Sequence, residues 1–193
     1  MLTGSPTIER RVVRVAGTDG RIVTLDATDG HVLSDMRVPV GISTRVLADG
    51  GMLWFGGTDG KVHAIDEAQQ KERWRFETGR PVADAEIALA HSALVVVCSG
   101  KLLALDRADG SQRGVWPLAG ALQGPLRVAG DRLLVNTRQK DGKEKPRDTL
   151  LAFRADALTL LWQYADAGTF ADVAASEAQQ AVAAGDGEAV LLR

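Results

Sequence analysis

The sequence predicts an all-β protein, a β-propeller of four-stranded antiparallel blades with about four full blades and a partial fifth. Three observations predict it. A unit of 40 residues recurs along the chain, Asp-Gly turns punctuate each unit, and apolar and polar residues alternate between the turns. Gly17-Thr18-Asp19-Gly20-Arg21-Ile22-Val23-Thr24-Leu25-Asp26 is answered 40 residues on by Gly57-Thr58-Asp59-Gly60-Lys61-Val62-His63-Ala64-Ile65-Asp66. Further copies stand at Ser99 to Asp106, at Asp148 to Arg154 and at Gly185 to Arg193. Four short strands per unit, joined by hairpins, fit a propeller blade. A doubly wound α/β fold needs 10–15-residue helices between its strands, and the first 165 residues offer none.

Each blade can be bounded. The first runs from about Leu2 to Val40, with an apolar strand at Val12 to Ala16, the Asp19-Gly20 turn and a second turn at Asp29-Gly30. The second runs from Gly41 to Arg80; Lys61-Val62-His63-Ala64-Ile65 gives its clearest period-two strand, and Trp74 follows eight residues after Asp66. The third, Pro81 to Gly120, carries the apolar strand Leu94 to Val97 and a turn at Asp109-Gly110. The fourth, Ala121 to Gly168, holds an insertion and places Trp162 eight residues after Arg154. The last unit, Thr169 to Arg193, stops after three strands. Its alanine-rich stretch Phe170 to Ala184 favours helix by propensity, but the repeat register assigns two strands there, and propensity is the weaker guide.

An indole buries a large flat area and brings one N–H that seeks an acceptor. Repeated at one point of each blade, it lets neighbouring blades dock through equivalent contacts. Asp66, Trp74 and Trp162 therefore read as a structural docking motif, and Asp26, Asp66 and Asp106 as residues that satisfy turn amides.

Thr3 to Ile8 as an inner strand, Met52 to Asp66 through its Gly-Gly-Thr-Asp-Gly turn, and Lys71 to Gly79 together resemble the quinoprotein-like, pyrroloquinoline-quinone-type β-propeller repeats. Ala64-Ile65-Asp66 followed by Trp74 matches that family's tryptophan-docking motif. Gln70 stands where the family usually has Gly, Ser34 stands at the tryptophan position of blade one, blade three shifts its tryptophan to Trp116, and blade four has Arg154 for the aspartate. The resemblance covers nearly the whole chain. It implies the fold, and in character it points to non-enzymatic members, the bacterial barrel-assembly and sensor propellers, which work outside the cytoplasm.

Composition narrows the functions. Of 193 residues 45% are hydrophobic and 25% charged, as in a globular protein, and the net charge of -2 gives no basic excess for a nucleic-acid partner. Nothing reaches the ~18 apolar residues of a membrane span, and Met1 to Arg11 lacks the apolar stretch of a signal peptide. Chemistry is sparse. The sequence holds no G-x-S-x-G, P-loop, G-x-G-x-x-G or H-E-x-x-H. His31, His63 and His91 occupy different repeat positions, and Cys98 reads as a small buried hydrophobe. The expectation is therefore no catalytic residue, no metal and no cofactor. The alternative is a fragment of a quinone-dependent alcohol or sugar dehydrogenase. The resemblance implies an adjacent cysteine pair in such enzymes, whereas this chain has one cysteine, and no motif singles out Lys101 or Arg113 as a quinone ligand.

The insertion in blade four is the most distinctive local feature. Thr137 to Arg147 contains the five cations Arg138, Lys140, Lys143, Lys145 and Arg147 and two acidic residues, and it lengthens a hairpin between the second and third strands. Loops on rigid scaffolds often carry recognition, and an acidic protein surface is the complement of this one. Counting four strands in each of four units and three in the last gives nineteen, which leaves Glu188 to Arg193 as an exposed edge open to self-association; the chain is expected to be an incomplete arc, either part of a larger seven- or eight-bladed protein or completed by a second copy.

Overall fold

The computed structural model describes residues 2–83, 86–140, 146–166, 172–174, 181–185 and 188–192. They form five antiparallel sheets in chain order. The first is β1 (Leu2–Glu9), β2 (Val12–Gly17), β3 (Arg21–Asp26) and β4 (Val32–Arg37), each paired with the next. The second repeats this with β5 (Leu47–Asp49), β6 (Met52–Gly56), β7 (Lys61–Asp66) and β8 (Lys71–Glu77), and the third with β9 (Ile87–Leu89), β10 (Ala93–Cys98), β11 (Lys101–Asp106) and β12 (Gln112–Pro117). In the fourth, β13 (Ala121–Leu122) and β14 (Arg127–Ala129) both pair with β15 (Arg132–Gln139), followed by β16 (Arg147–Arg154) and β17 (Thr159–Asp166). The fifth is β18 (Asp172–Ala174), β19 (Ala181–Gly185) and β20 (Glu188–Leu192), with β20 at one end of the sheet.

The described residues hold twenty strands where nineteen are expected, because the inner strand of the fourth sheet is in two pieces. Pro125, preceded by Gly124, has no N–H to give the ladder, so the strand breaks there, while Gln123 still donates its N–H to Asn136 O. The alanine-rich stretch does form strands at Asp172–Ala174 and Ala181–Gly185, paired residue by residue from Asp172↔Ala184 to Ala174↔Val182. Sheet register there overrides helix propensity. The segments between those strands lie outside the described residues. Among the described residues no helix is long and apolar enough to cross a membrane.

Two local features recur in each of the first four sheets. The outer strand carries a β-bulge at the same place: the register shifts between Thr24 and Leu25, Ala64 and Ile65, Ala104 and Leu105, and Ala152 and Phe153. The bulged residues are thus Leu33, Arg73, Arg113 and Leu161. The turn before each outer strand places one residue at positive φ: Gly30 at 75°, Gln70 at 52°, Gly110 at 75° and Leu158 at 54°. Side chains are strained in that region, and Gln70 is exposed, so little packing offsets the strain. Replacing Gln70 by Gly is expected to stabilise the protein by about 0.5–1 kcal/mol, after the entropic cost of Gly. The check is a thermal midpoint raised by about 1–4 °C. A lowered midpoint would show that the Gln70 side chain itself holds the turn.

By internal contacts the chain divides into Met1–Ile87 with Arg107–Gly110, and Ala88–Asp106 with Ser111–Arg193. The first unit packs Ile22, Ile42, Leu53 and Phe55, all fully buried, between its two sheets. The second packs Leu102, Leu133, Val135 and Phe153 in the same way, and Trp116 meets Phe153 edge-on at 5.2 Å between ring centroids. Alternate residues of each strand supply these cores, the period-two rule at work.

Candidate functional site

The tryptophan motif is a built contact in the first unit. The Trp74 indole donates its N–H to Arg107 O at 2.9 Å. Its ring lies on Gly110, where a Cβ would stand 2.6 Å from ring carbon Cε3. The Arg107 side chain is engaged as well, its guanidinium lying 4.8 Å from the centre of the buried Trp54 ring and pairing with Asp49. Asp66 takes the Gln69 N–H at 2.9 Å and the bulged Arg73 at 2.7 Å. The Gln69 amide first, and then the Arg73 side chain, hold its carboxyl below the usual carboxylate range. Asp26 accepts the Thr28 N–H at 2.7 Å and is lowered for the same kind of reason. Asp106 is held by its own bulged arginine, Arg113.

Register corrects one expectation. Ala64 faces Trp74 and Ala152 faces Trp162, and the equivalent Ala104 faces Gly114, not Trp116. The tryptophan of blade three has not shifted; a glycine stands in its place. There the backbone of Ala157 comes so near that a Cβ on Gly114 would lie 2.5 Å from its carbonyl oxygen. Trp116, two residues on, belongs to the core of the second unit.

The basic insertion is a hairpin of two eight-residue strands, β15 and β16, in continuous register from Arg132↔Arg154 to Gln139↔Arg147. Lys140 and Arg147 are exposed at its end, and Lys143 and Lys145 lie outside the described residues. Arg138 differs from the freely solvated cation expected of a contact loop. It faces Asp148 directly across the hairpin and grips it with two bonds, Nε to Oδ1 at 2.6 Å and Nη2 to Oδ2 at 2.8 Å. Asp148 is fully buried, and its hydrogen bond raises the arginine's pKa further. A cleft of about 480 Å³ opens beside this pair, lined by Gly120, Ala121, Gln123, Arg138, Gln139 and Lys140. Its floor is fixed by Gln123, which donates its side-chain amide to Ala121 O and Leu122 O. Cations and amide groups recognise carboxylates. Among the described residues, none that lines the cleft is a nucleophile with an adjacent base.

The remaining candidates sit apart. His63 is buried, stacked on Phe55, with Nδ1 2.7 Å from Glu72 and Nε2 3.2 Å from Asp59. His31 and His91 are exposed. Cys98 is half-buried at the end of β10 rather than buried, because its strand ends there in the Ser99-Gly100 turn. Lys101 is exposed, and Arg113 is taken up by Asp106. Among the described residues no three of His, Cys, Asp and Glu gather to hold a metal ion.

Residues 1–114 and 58–193 each match the family described as outer membrane protein assembly factor BamB. A relative of that name from Nitrosomonas eutropha is 32% identical over 113 residues, 58% of this chain and 26% of its own length. The BamB structure from Moraxella catarrhalis superposes with a TM-score of 0.68 at 14% identity, over 96% of this chain and 62% of that one. Quinohemoprotein alcohol dehydrogenase from Comamonas testosteroni gives 0.64 at 12% identity, over 85% of this chain and 35% of that one. A corresponding enzyme from Pseudomonas putida HK5 gives 0.63 at 14%, over 84% and 34%. These likenesses show a β-propeller fold. The chain spans about a quarter of the curated relative and less than two thirds of each structure.

Proposed function

Since the chain belongs to the family of outer membrane protein assembly factor BamB, we propose that it is a non-catalytic propeller scaffold that binds a protein partner outside the cytoplasm. The five sheets are read as consecutive blades. The contact surface is the end of the β15–β16 hairpin, where Lys140 and Arg147 are exposed and Lys143 and Lys145 fall between them in sequence. The partner surface is acidic. The observation that carries this reading is the cleft lined by Gln123, Gln139 and Lys140, whose groups bind and orient but have no acid–base pair with which to react.

Crosslinking tests it. A photo-reactive residue at Gln139 is expected to capture a component of the outer-membrane assembly apparatus of the same cell. Reversing Lys140, Lys143 and Lys145 to Glu is expected to weaken that capture about tenfold, since exposed charges contribute ~0.2–1 kcal/mol each. Binding is expected to fall as salt rises. Quinone-dependent dye reduction by the chain, with no capture at Gln139, would overturn the reading in favour of a dehydrogenase fragment.

A further inference from the structure

We propose that His63 is a pH-sensitive brace: as an imidazolium it ties the Gly57–Gly60 turn to β8, and as a neutral ring it lets the turn go. The geometry behind this is a buried ring held between two carboxylates. His63 is 4% exposed, with Nδ1 2.7 Å from Glu72 Oε2 and Nε2 3.2 Å from Asp59 Oδ1. An ionised carboxylate only accepts, so each bond needs an N–H on the ring, and only the protonated ring has two. A neutral ring has one N–H to give. It stays with Glu72 at the shorter distance, and Nε2 then turns a lone pair towards Asp59. The ring cannot swing aside freely, because it is stacked on the buried Phe55 at 5.4 Å between centroids. Glycine at 57 leaves the space in which the two groups meet: a Cβ there would lie 2.4 Å from Asp59 Oδ1 and 2.9 Å from His63 Nε2.

The other charges around the ring are accounted for among the described residues. Lys61, two residues before it on β7, is held by Glu77 of β8 at 2.9 Å. Arg75, its ladder partner on β8, stands 3.5 Å from Glu72. Met52–Gly56 of β6 carries no charge. The first sheet supplies a comparison within the same chain. Its turn has the same sequence, Gly17-Thr18-Asp19-Gly20, and Gly20 and Gly60 both lie at φ 78°. Asp19 accepts the Arg21 N–H at 3.3 Å as Asp59 accepts the Lys61 N–H at 3.2 Å. There, however, Arg37 holds Asp19 at 3.0 Å, and Val23 stands where the second sheet has His63. One turn is thus braced by a permanent cation and its twin by histidine, the side-chain type whose charge changes between about pH 5 and 8. Thr58 of the second turn also donates its N–H to Gly41 O at 2.8 Å, so releasing the turn loosens the connection that leads into its sheet.

Amide exchange of the whole chain, read by NMR and corrected for the intrinsic exchange rate at each pH, tests the brace. As pH rises through that range, protection of Gly60 and Lys61 is expected to fall about fivefold relative to Gly20 and Arg21, the worth of one ordinary hydrogen bond. Over the same range the His63 ring is expected to pass from two protonated nitrogens to Nδ1 alone, read from its nitrogen shifts. Asp59→Asn leaves the buried ring untouched and keeps an oxygen for the Lys61 N–H. It is expected to abolish the pH dependence of the turn. Equal responses of the two turns overturn the proposal. So does a ring that keeps one protonation state throughout, or a pH dependence that survives Asp59→Asn.

Discussion

Replacing Trp74 by alanine is expected to cost about 3–5 kcal/mol, the range for removing a large buried aromatic. The loss has several parts. The indole leaves a cavity over Gly110, and its N–H no longer satisfies Arg107 O. The 107–110 turn then loses its contact with the second sheet's indole, and the Arg107 guanidinium is less firmly held over Trp54. Gly110→Ala attacks the same contact from the other side. It places a Cβ 2.6 Å from the ring at a φ of 75° and is expected to be of similar severity. Chemical denaturation of both variants checks this. If the contact is one unit, the double variant will lose far less than the sum of the two. Additive losses would show that tryptophan and glycine act separately.

Arg138→Ala is expected to be the next most damaging change. It removes the guanidinium that grips the fully buried Asp148 carboxylate, which costs about 3 kcal/mol, the low end of the range because Arg138 keeps a quarter of its side chain in water. Asp148→Ala is expected to cost less, since the freed guanidinium turns to solvent along its stem. Removing both charges with a leucine pair is expected to recover most of the loss, because an apolar pair of similar volume carries no desolvation penalty. Urea midpoints of the three variants decide it. A double variant as unstable as Arg138→Ala would show that the ion pair, and not the stranded charge, stabilises the hairpin.

These two contacts also mark how far the sequence could be read. Each strand of the repeat was legible because the 40-residue period, the Asp-Gly turns and the alternation all agree, and agreement between levels is what specifies a fold. The docking position of the third sheet was missed although its spacing was visible. Eight residues separate Asp66 from Trp74, Arg154 from Trp162 and Asp106 from Gly114, but a glycine gives no sign that it occupies an aromatic's place. Trp116, ten residues on, drew the reading instead; it shares the face of Gly114 and feeds a core. In the basic hairpin the acidic partner lay one residue beyond the stretch of interest. Only the strand register places Asp148 opposite Arg138 and so pairs one of the five cations. The carboxylates around His63 come from a turn and from the neighbouring strand, a convergence no linear spacing announces.

The bulge at the start of each outer strand has a consequence for how this array diversifies. Its extra residue has no partner across the ladder, so its identity is unconstrained by pairing. Arginine there ties down a turn aspartate in two sheets, and leucine there faces outward in the other two. A single substitution at residue 33 or 161 therefore rewrites the outer strand of one sheet while the ladder beneath it stays fixed, whereas one at residue 73 or 113 also releases a turn aspartate. Each of the first four sheets carries one such address, and in the first and fourth new surface chemistry can be tried there without retuning the repeat.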